Sequence, residues 1–82
     1  MTKKLKPIHP GEILKEEFMK PRGMSLTELA KILPIDRSRL VEIIEGRSSI
    51  NTIRLGLSLL FGTTSVFWMN LQEQYDKQIA ED

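Results

Sequence analysis

The 82-residue sequence predicts an all-α domain of five short helices, and three observations carry that prediction. Apolar residues recur at three- and four-residue intervals in five separate segments, the spacing of helices with one buried face. Capping residues open those segments and glycine or proline closes them. No segment reads as a strand.

The first helix follows HPGE: Pro10 suits a first helical turn, Glu12 favours the positive end of the helix dipole, and Ile13, Leu14 and Phe18 share one face. It stops near KPRG, residues 20–23. The second opens with Ser25 and Glu28, a capping box, and Met24 is placed to staple onto Leu29. Leu26, Leu29, Ala30 and Leu33 then follow helical spacing. The third takes Asp36 as N-cap and Gly46 as its left-handed end, with Leu40, Ile43 and Ile44 as core face. The fourth starts near residues 51–52 and stops at Gly62, turning Ile53, Leu57, Leu60 and Phe61 inward, while Gly56 weakens it. The fifth, about residues 64–80, has Thr63, Thr64 and Ser65 as candidate caps and carries Phe67, Trp68, Leu71, Tyr75 and Ile79. Residues 1–8 read as a flexible arm and residues 9–82 as one domain.

An apolar share of 40% supports a single modest core, and a chain this small often gains buried surface from a partner. The absence of cysteine removes disulfides, zinc–thiolate sites and thiol chemistry. No apolar run approaches the roughly 20 residues of a membrane helix, so a soluble cytoplasmic protein without a membrane partner is expected. Residues 1–54 hold eleven Lys/Arg against seven Asp/Glu, whereas residues 55–82 hold one against four. A basic front and an acidic tail suggest two surfaces with different partners.

Reactive groups do not converge. His9, the single histidine, precedes a proline at a helix start, and with Glu12 it supplies too few ligands for a metal. Glu16 and Glu17 are adjacent and point to different helix faces, which suits solvation better than acid–base work. No glycine-rich phosphate loop occurs. Neither catalysis, a metal nor a cofactor is expected.

The stretch LAKILPIDRSRLVEIIEG, residues 29–46, has the rhythm of a helix-turn-helix, with the motif over 26–45. Two helices that cross tightly need a small residue where their backbones meet, and Ala30 stands there. Leu29, Leu33, Ile35, Leu40 and Ile43 supply the apolar seam. The second helix of such a motif offers its N-terminal end to the major groove, and here that end reads Arg37, Ser38 and Arg39. At 100° per residue Ser38 and Glu42 lie opposite the inward Leu40. Arginine pairs bidentately with guanine, serine donates or accepts, and glutamate accepts from cytosine. Thr27, Lys31, Arg39, Arg47, Ser48, Ser49, Asn51 and Arg54 surround the motif as candidate phosphate contacts. Pro34 stands where the turn usually has glycine at positive φ; a ring that fixes φ near −65° is expected to send the chain by another route.

The motif by itself resembles a Cro/C1-type repressor domain, the lambda repressor-like five-helix fold. Its flanks narrow the resemblance: HPGEILKEEFMKPRGMS before it and FGTTSVFWMNLQEQYD after it are similar to the HigA (VapI-like) antitoxins, over about residues 8–80. That resemblance implies a homodimer that binds a palindromic operator, represses its own operon and neutralises a HigB-type, ribosome-dependent mRNA-cleaving toxin by binding it. It places base reading at Arg37, Ser38, Arg39 and Glu42, phosphate contacts at Arg54 and the 47–49 loop, and a dimer contact at Phe67, Trp68, Leu71 and Tyr75. The chain departs from the family pattern at Pro34, at Gly56 where arginine is frequent, and in a 46–62 segment one residue short.

The stripe on the fifth helix is too wide for a free surface; it closes the monomer's core, forms a dimer seam, or does both. Two alternatives stand beside the antitoxin: a protein-interaction module with weak or lost DNA binding, suggested by Pro34, Glu42, Glu45 and Gly56, and a phage-type repressor without a toxin.

Overall fold

The computed structural model describes residues 6–81, and every regular element among them is helical. The expected arm falls mostly on residues 1–5, outside the described residues; residues 6–8 are non-helical and lead into His9.

The first rod, α1 (residues 10–22), passes through three geometries: an α-helical turn Pro10–Ile13, a π-helical stretch Leu14–Met19 and a 3-10 turn Lys20–Arg22. His9 caps it, accepting from the Gly11 N–H on Nδ1 at 2.9 Å, while Pro10 takes the next position, where no donor is needed. The π stretch corrects the register expected from a uniform 3.6-residue period. Leu14 and Met19 are both buried although five residues apart, and Ile13 and Phe18 are only half-buried. Hydrogen bonds spanning five residues, such as Lys20 N–H to Lys15 O, bring that pair onto one face.

Helix α2 (Leu26–Ile32) carries the complete capping box: Glu28 N–H donates to Ser25 Oγ at 3.1 Å and Ser25 N–H to Glu28 Oε1 at 2.8 Å. The Ser25 backbone and hydroxyl together hold the Glu28 carboxyl below its ordinary pKa. Helix α3 (Arg37–Ile44) starts after Asp36, which occupies the N-cap position but makes no side-chain cap bond, and ends through Gly46 at φ 81.

The turn between α2 and α3 does not take the other route expected of a proline. Pro34 sits at φ 23, on the side glycine normally occupies, and Ile35 N–H donates to Ala30 O at 3.1 Å, the long bond of a Schellman terminus. The companion bond is missing because proline has no N–H. Leu33 and Ile35 pack against the core on either side of the turn.

The fourth helical segment is also divided. Ser49 Oγ accepts from Asn51 N–H at 3.0 Å and caps a separate 3-10 turn, Ile50–Thr52, before α4 (Arg54–Phe61). Gly56 does more than weaken α4: a Cβ there would stand 2.7 Å from Leu33 Cδ2, so its bare backbone admits the Leu33 side chain at the end of α2. Helix α5 (Ser65–Ala80) starts with Thr64 Oγ1 accepting from Phe67 N–H at 3.1 Å. Leu14, Leu29, Leu40, Ile43, Ile50, Leu57 and Trp68 fill the core shared by all five helices.

Candidate DNA interface

Helix α3 is divided between two environments. Leu40 and Ile43 are enclosed, while Arg37, Ser38, Arg39 and Glu42 are all exposed, so the four residues expected to read bases share the solvent side of one helix. Arg37, the first residue of α3, donates from Nε to Thr27 Oγ1 of α2 at 3.2 Å, which ties the two helices of the motif together at their exposed ends. Thr27 and Lys31 lie exposed on α2, beside this end.

The position of α3 is set from behind by HPGE. An ideal Cβ on Gly11 would lie 2.0 Å from Ile43 O and 3.0 Å from Ile44 Cα, so α1 rests directly on the α3 backbone. His9 packs its ring edge-on to Tyr75 at 4.8 Å and against Gly46. Burial pushes the His9 imidazole below its ordinary pKa, against opposing pulls from the Asp76 carboxylate and a hydrogen bond with the Ser48 backbone. Its Nδ1 lone pair is already committed to the helix cap.

The expected phosphate contacts are not all equally available. Lys31 and Asn51 are exposed. Arg47 is exposed but paired with Glu45, itself exposed. Ser48 and Ser49 are half-buried, and the Ser49 hydroxyl is occupied as a cap. Arg54 is half-buried against α5, its Nη1 3.8 Å from Met69 Sδ.

The dimer stripe on α5 needs one correction. Trp68 has no exposed surface; its ring lies 5.0 Å from Phe18 and its Nε1 donates to Thr63 Oγ1 at 2.7 Å, so it builds the monomer's core and leaves nothing for a partner to touch. Leu71 and Tyr75 are half-buried and Phe67 is 38% exposed.

One residue that sequence reasoning missed holds the site together. Gln72 is buried on α5, where its Oε1 accepts from Ile50 N–H at 2.8 Å and its Nε2 donates to Asp76 Oδ1 at 3.0 Å. It anchors the 47–52 loop to the last helix. Its signal was present: Gln72 shares the helical face of Trp68 and Tyr75, a polar residue on an apolar stripe.

Among the described residues no helix is long and apolar enough to cross a membrane. No protein-family model matches the sequence. The chain is 44% identical over 75 residues to virulence-associated protein I of Dichelobacter nodosus, covering 90% of this chain and 69% of that one. Among solved structures it superposes with a TM-score of 0.85 on an addiction module antidote protein of a HigA family from Coxiella burnetii, at 47% identity, covering 93% of this chain and 84% of that one. It also superposes, with a TM-score of 0.86, on the Pseudomonas aeruginosa antitoxin HigA with higBA promoter, at 36% identity over 92% of this chain and 83% of that one. In sequence over nearly its whole length and in the arrangement of its helices, this chain belongs to the HigA family of antitoxins.

Proposed function

We propose that the protein is a cytoplasmic, homodimeric antitoxin without catalytic activity. It binds operator DNA, represses its own operon and neutralises a HigB/RelE-type toxin by binding it. The observation that carries the DNA half is the exposed N-terminal end of α3, where Arg37, Ser38, Arg39 and Glu42 stand on a helix whose other side is locked in the core. Membership of an antitoxin family supports the toxin half. In this reading the motif of residues 26–45 docks with the N-terminal end of α3 in the major groove, and Thr27, Lys31 and Asn51 meet phosphates first, being free of other side-chain duties or only lightly engaged. Arg47, Ser48, Ser49 and Arg54 join after Arg47 leaves Glu45 and Arg54 leaves Met69. The helix at about 64–80 contributes Phe67, Leu71 and Tyr75 to the dimer.

A protein-interaction module with weak DNA binding is the second reading, and the internal engagement of Arg47 and Arg54 favours it. Two measurements separate the readings. Fluorescence anisotropy with the DNA upstream of the protein's own gene should show tight binding that weakens steeply with salt, one dimer per palindrome. Co-expression with the product of the neighbouring reading frame should yield a stable complex and relieve that product's toxicity. A complex without DNA binding selects the second reading; DNA binding without a complex removes the antitoxin.

A further inference from the structure

We infer that Thr27 of α2 is a specificity-determining positioning residue: it holds the Arg37 guanidinium so that the two terminal nitrogens form an end-on fork for a guanine of the operator. The inference rests on the DNA-reading function proposed above and deepens it, naming the base and the residue that sets the contact. Arg37 is the first residue of α3, and Cα–Cβ bonds lean toward a helix's N-terminus, so its side chain projects past the end of α3. There its Nε donates to Thr27 Oγ1 at 3.2 Å. A cation at this end faces the positive pole of the helix dipole, so Arg37 is not placed there to stabilise α3.

Local structure frees Thr27 for this task. Inside a helix a threonine hydroxyl ordinarily bonds back to a carbonyl three or four residues earlier. Thr27 is the second residue of α2, so residues 23 and 24 lie outside the helical spiral and the hydroxyl reaches across the turn instead. The backbone beneath it is fixed by the capping box of Ser25 and Glu28, which also keeps the Glu28 carboxylate on the Ser25 N–H. Among the described residues no carboxylate pairs with Arg37; the ion pairs there join Lys20 to Glu16 and Arg47 to Glu45. A neutral hydroxyl thus orients the guanidinium and leaves its charge whole.

The base follows from the chemistry. A guanidinium presents two parallel N–H groups either side-on, from Nε and one Nη, or end-on, from both Nη atoms. Thr27 occupies Nε, which removes the side-on fork. The end-on fork needs two adjacent acceptors, and in the major groove guanine offers them in O6 and N7. Adenine sets an amino donor beside N7, cytosine presents a donor, and thymine a single acceptor next to a methyl group. The hydroxyl hydrogen of Thr27 stays available to a phosphate, since a hydroxyl accepts and donates at once.

The test is an anisotropy competition between the upstream duplex and a random duplex for the full chain, Thr27→Val and Thr27→Ser, each with Arg37 intact and with Arg37→Ala. Folding is checked by circular dichroism and Trp68 fluorescence; valine keeps the shape of the exposed threonine and loses the acceptor. Thr27→Val should cut the preference for upstream DNA about 3- to 10-fold, the worth of one hydrogen bond, and Thr27→Ser should restore it. Once Arg37 is alanine, Thr27→Val should change the preference no further. Exchanging guanines singly for 7-deazaguanine, which lacks the N7 acceptor, should weaken wild-type binding at a guanine in each half-site and leave Arg37→Ala insensitive there. A Thr27→Val that weakens both duplexes equally, or that still erodes the preference without Arg37, reduces Thr27 to a phosphate contact and overturns the inference. A preference abolished by Arg37→Ala but untouched by Thr27→Val sinks the inference alone, whereas a wild type without preference sinks the DNA-reading function with it.

Discussion

Replacing Gly11 with alanine tests how α3 is held. By helix propensity the change should help, since alanine is favoured over glycine by about 1 kcal/mol in a helix interior. The packing opposes it. The new Cβ would lie 2.0 Å from Ile43 O and 2.9 Å from the carbonyl carbon, contacts with backbone that no rotamer can relieve. One helix must retreat by about an ångström or more, and overpacking of this kind costs about 3 kcal/mol, the upper part of its usual range. The net expectation is a loss of about 2 kcal/mol, which lowers Tm by about 8–16 °C in a domain of this size. Trp68, the single tryptophan and fully enclosed, reports the transition in urea and thermal unfolding. Because Ile43 belongs to α3, DNA affinity should also fall at temperatures where the variant remains folded. A Gly11→Ala protein as stable as wild type, or more stable, would refute the close approach of α1 and α3.

Further expectations follow from single contacts. Gln72→Leu leaves the buried Ile50 N–H without its acceptor and should cost about 1–3 kcal/mol, with amide exchange at Ile50 accelerated beyond its neighbours; unchanged exchange removes Gln72 as the loop's anchor. His9 titrates below its ordinary value of 6.5 when folded, so the unfolded chain binds the proton more readily. Stability should therefore be full above about pH 6.5 and decline as pH falls through and below it, and His9→Asn, which can still cap α1, should flatten that decline measured by urea unfolding between pH 7 and 5.

Much of the fold was legible because it is written in local chemistry. Ser25 and Glu28 form a capping box from side chains three residues apart, Gly46 ends α3 with its own φ, and the apolar seam of α2 and α3 follows the ordinary period. What was hidden depends on tertiary context. A 3.6-residue period cannot register Leu14 with Met19, whose shared burial needs a π stretch. Pro34 was read as sending the chain by another route, yet the Ile35 N–H to Ala30 O bond closes the end of α2 as a glycine terminus would. The aromatic stripe of α5 looked like a partner surface because its pattern cannot say which residues meet Phe18 inside the monomer and which remain outside. At the site, the exposure of Arg37, Ser38, Arg39 and Glu42 followed from counting 100° steps from Leu40, a purely local inference. The pairing of Arg47 with Glu45 did not, since it depends on the path of the turn after α3, nor did the lodging of Arg54 against Met69, which needs a helix distant in sequence.

The central claim is that the exposed end of α3 reads DNA sequence. The most direct measurement is a competition between the upstream duplex and a random duplex of equal length, for wild type and Arg37→Ala, at two salt concentrations. Wild type should prefer the upstream DNA at both salts, and Arg37→Ala should give up about 1–3 kcal/mol of that preference while keeping most of its salt dependence, the signature of a lost base contact. A wild type that binds both duplexes equally, or an Arg37→Ala that loses affinity for both in equal measure, would contradict the assignment of α3 as the reading helix.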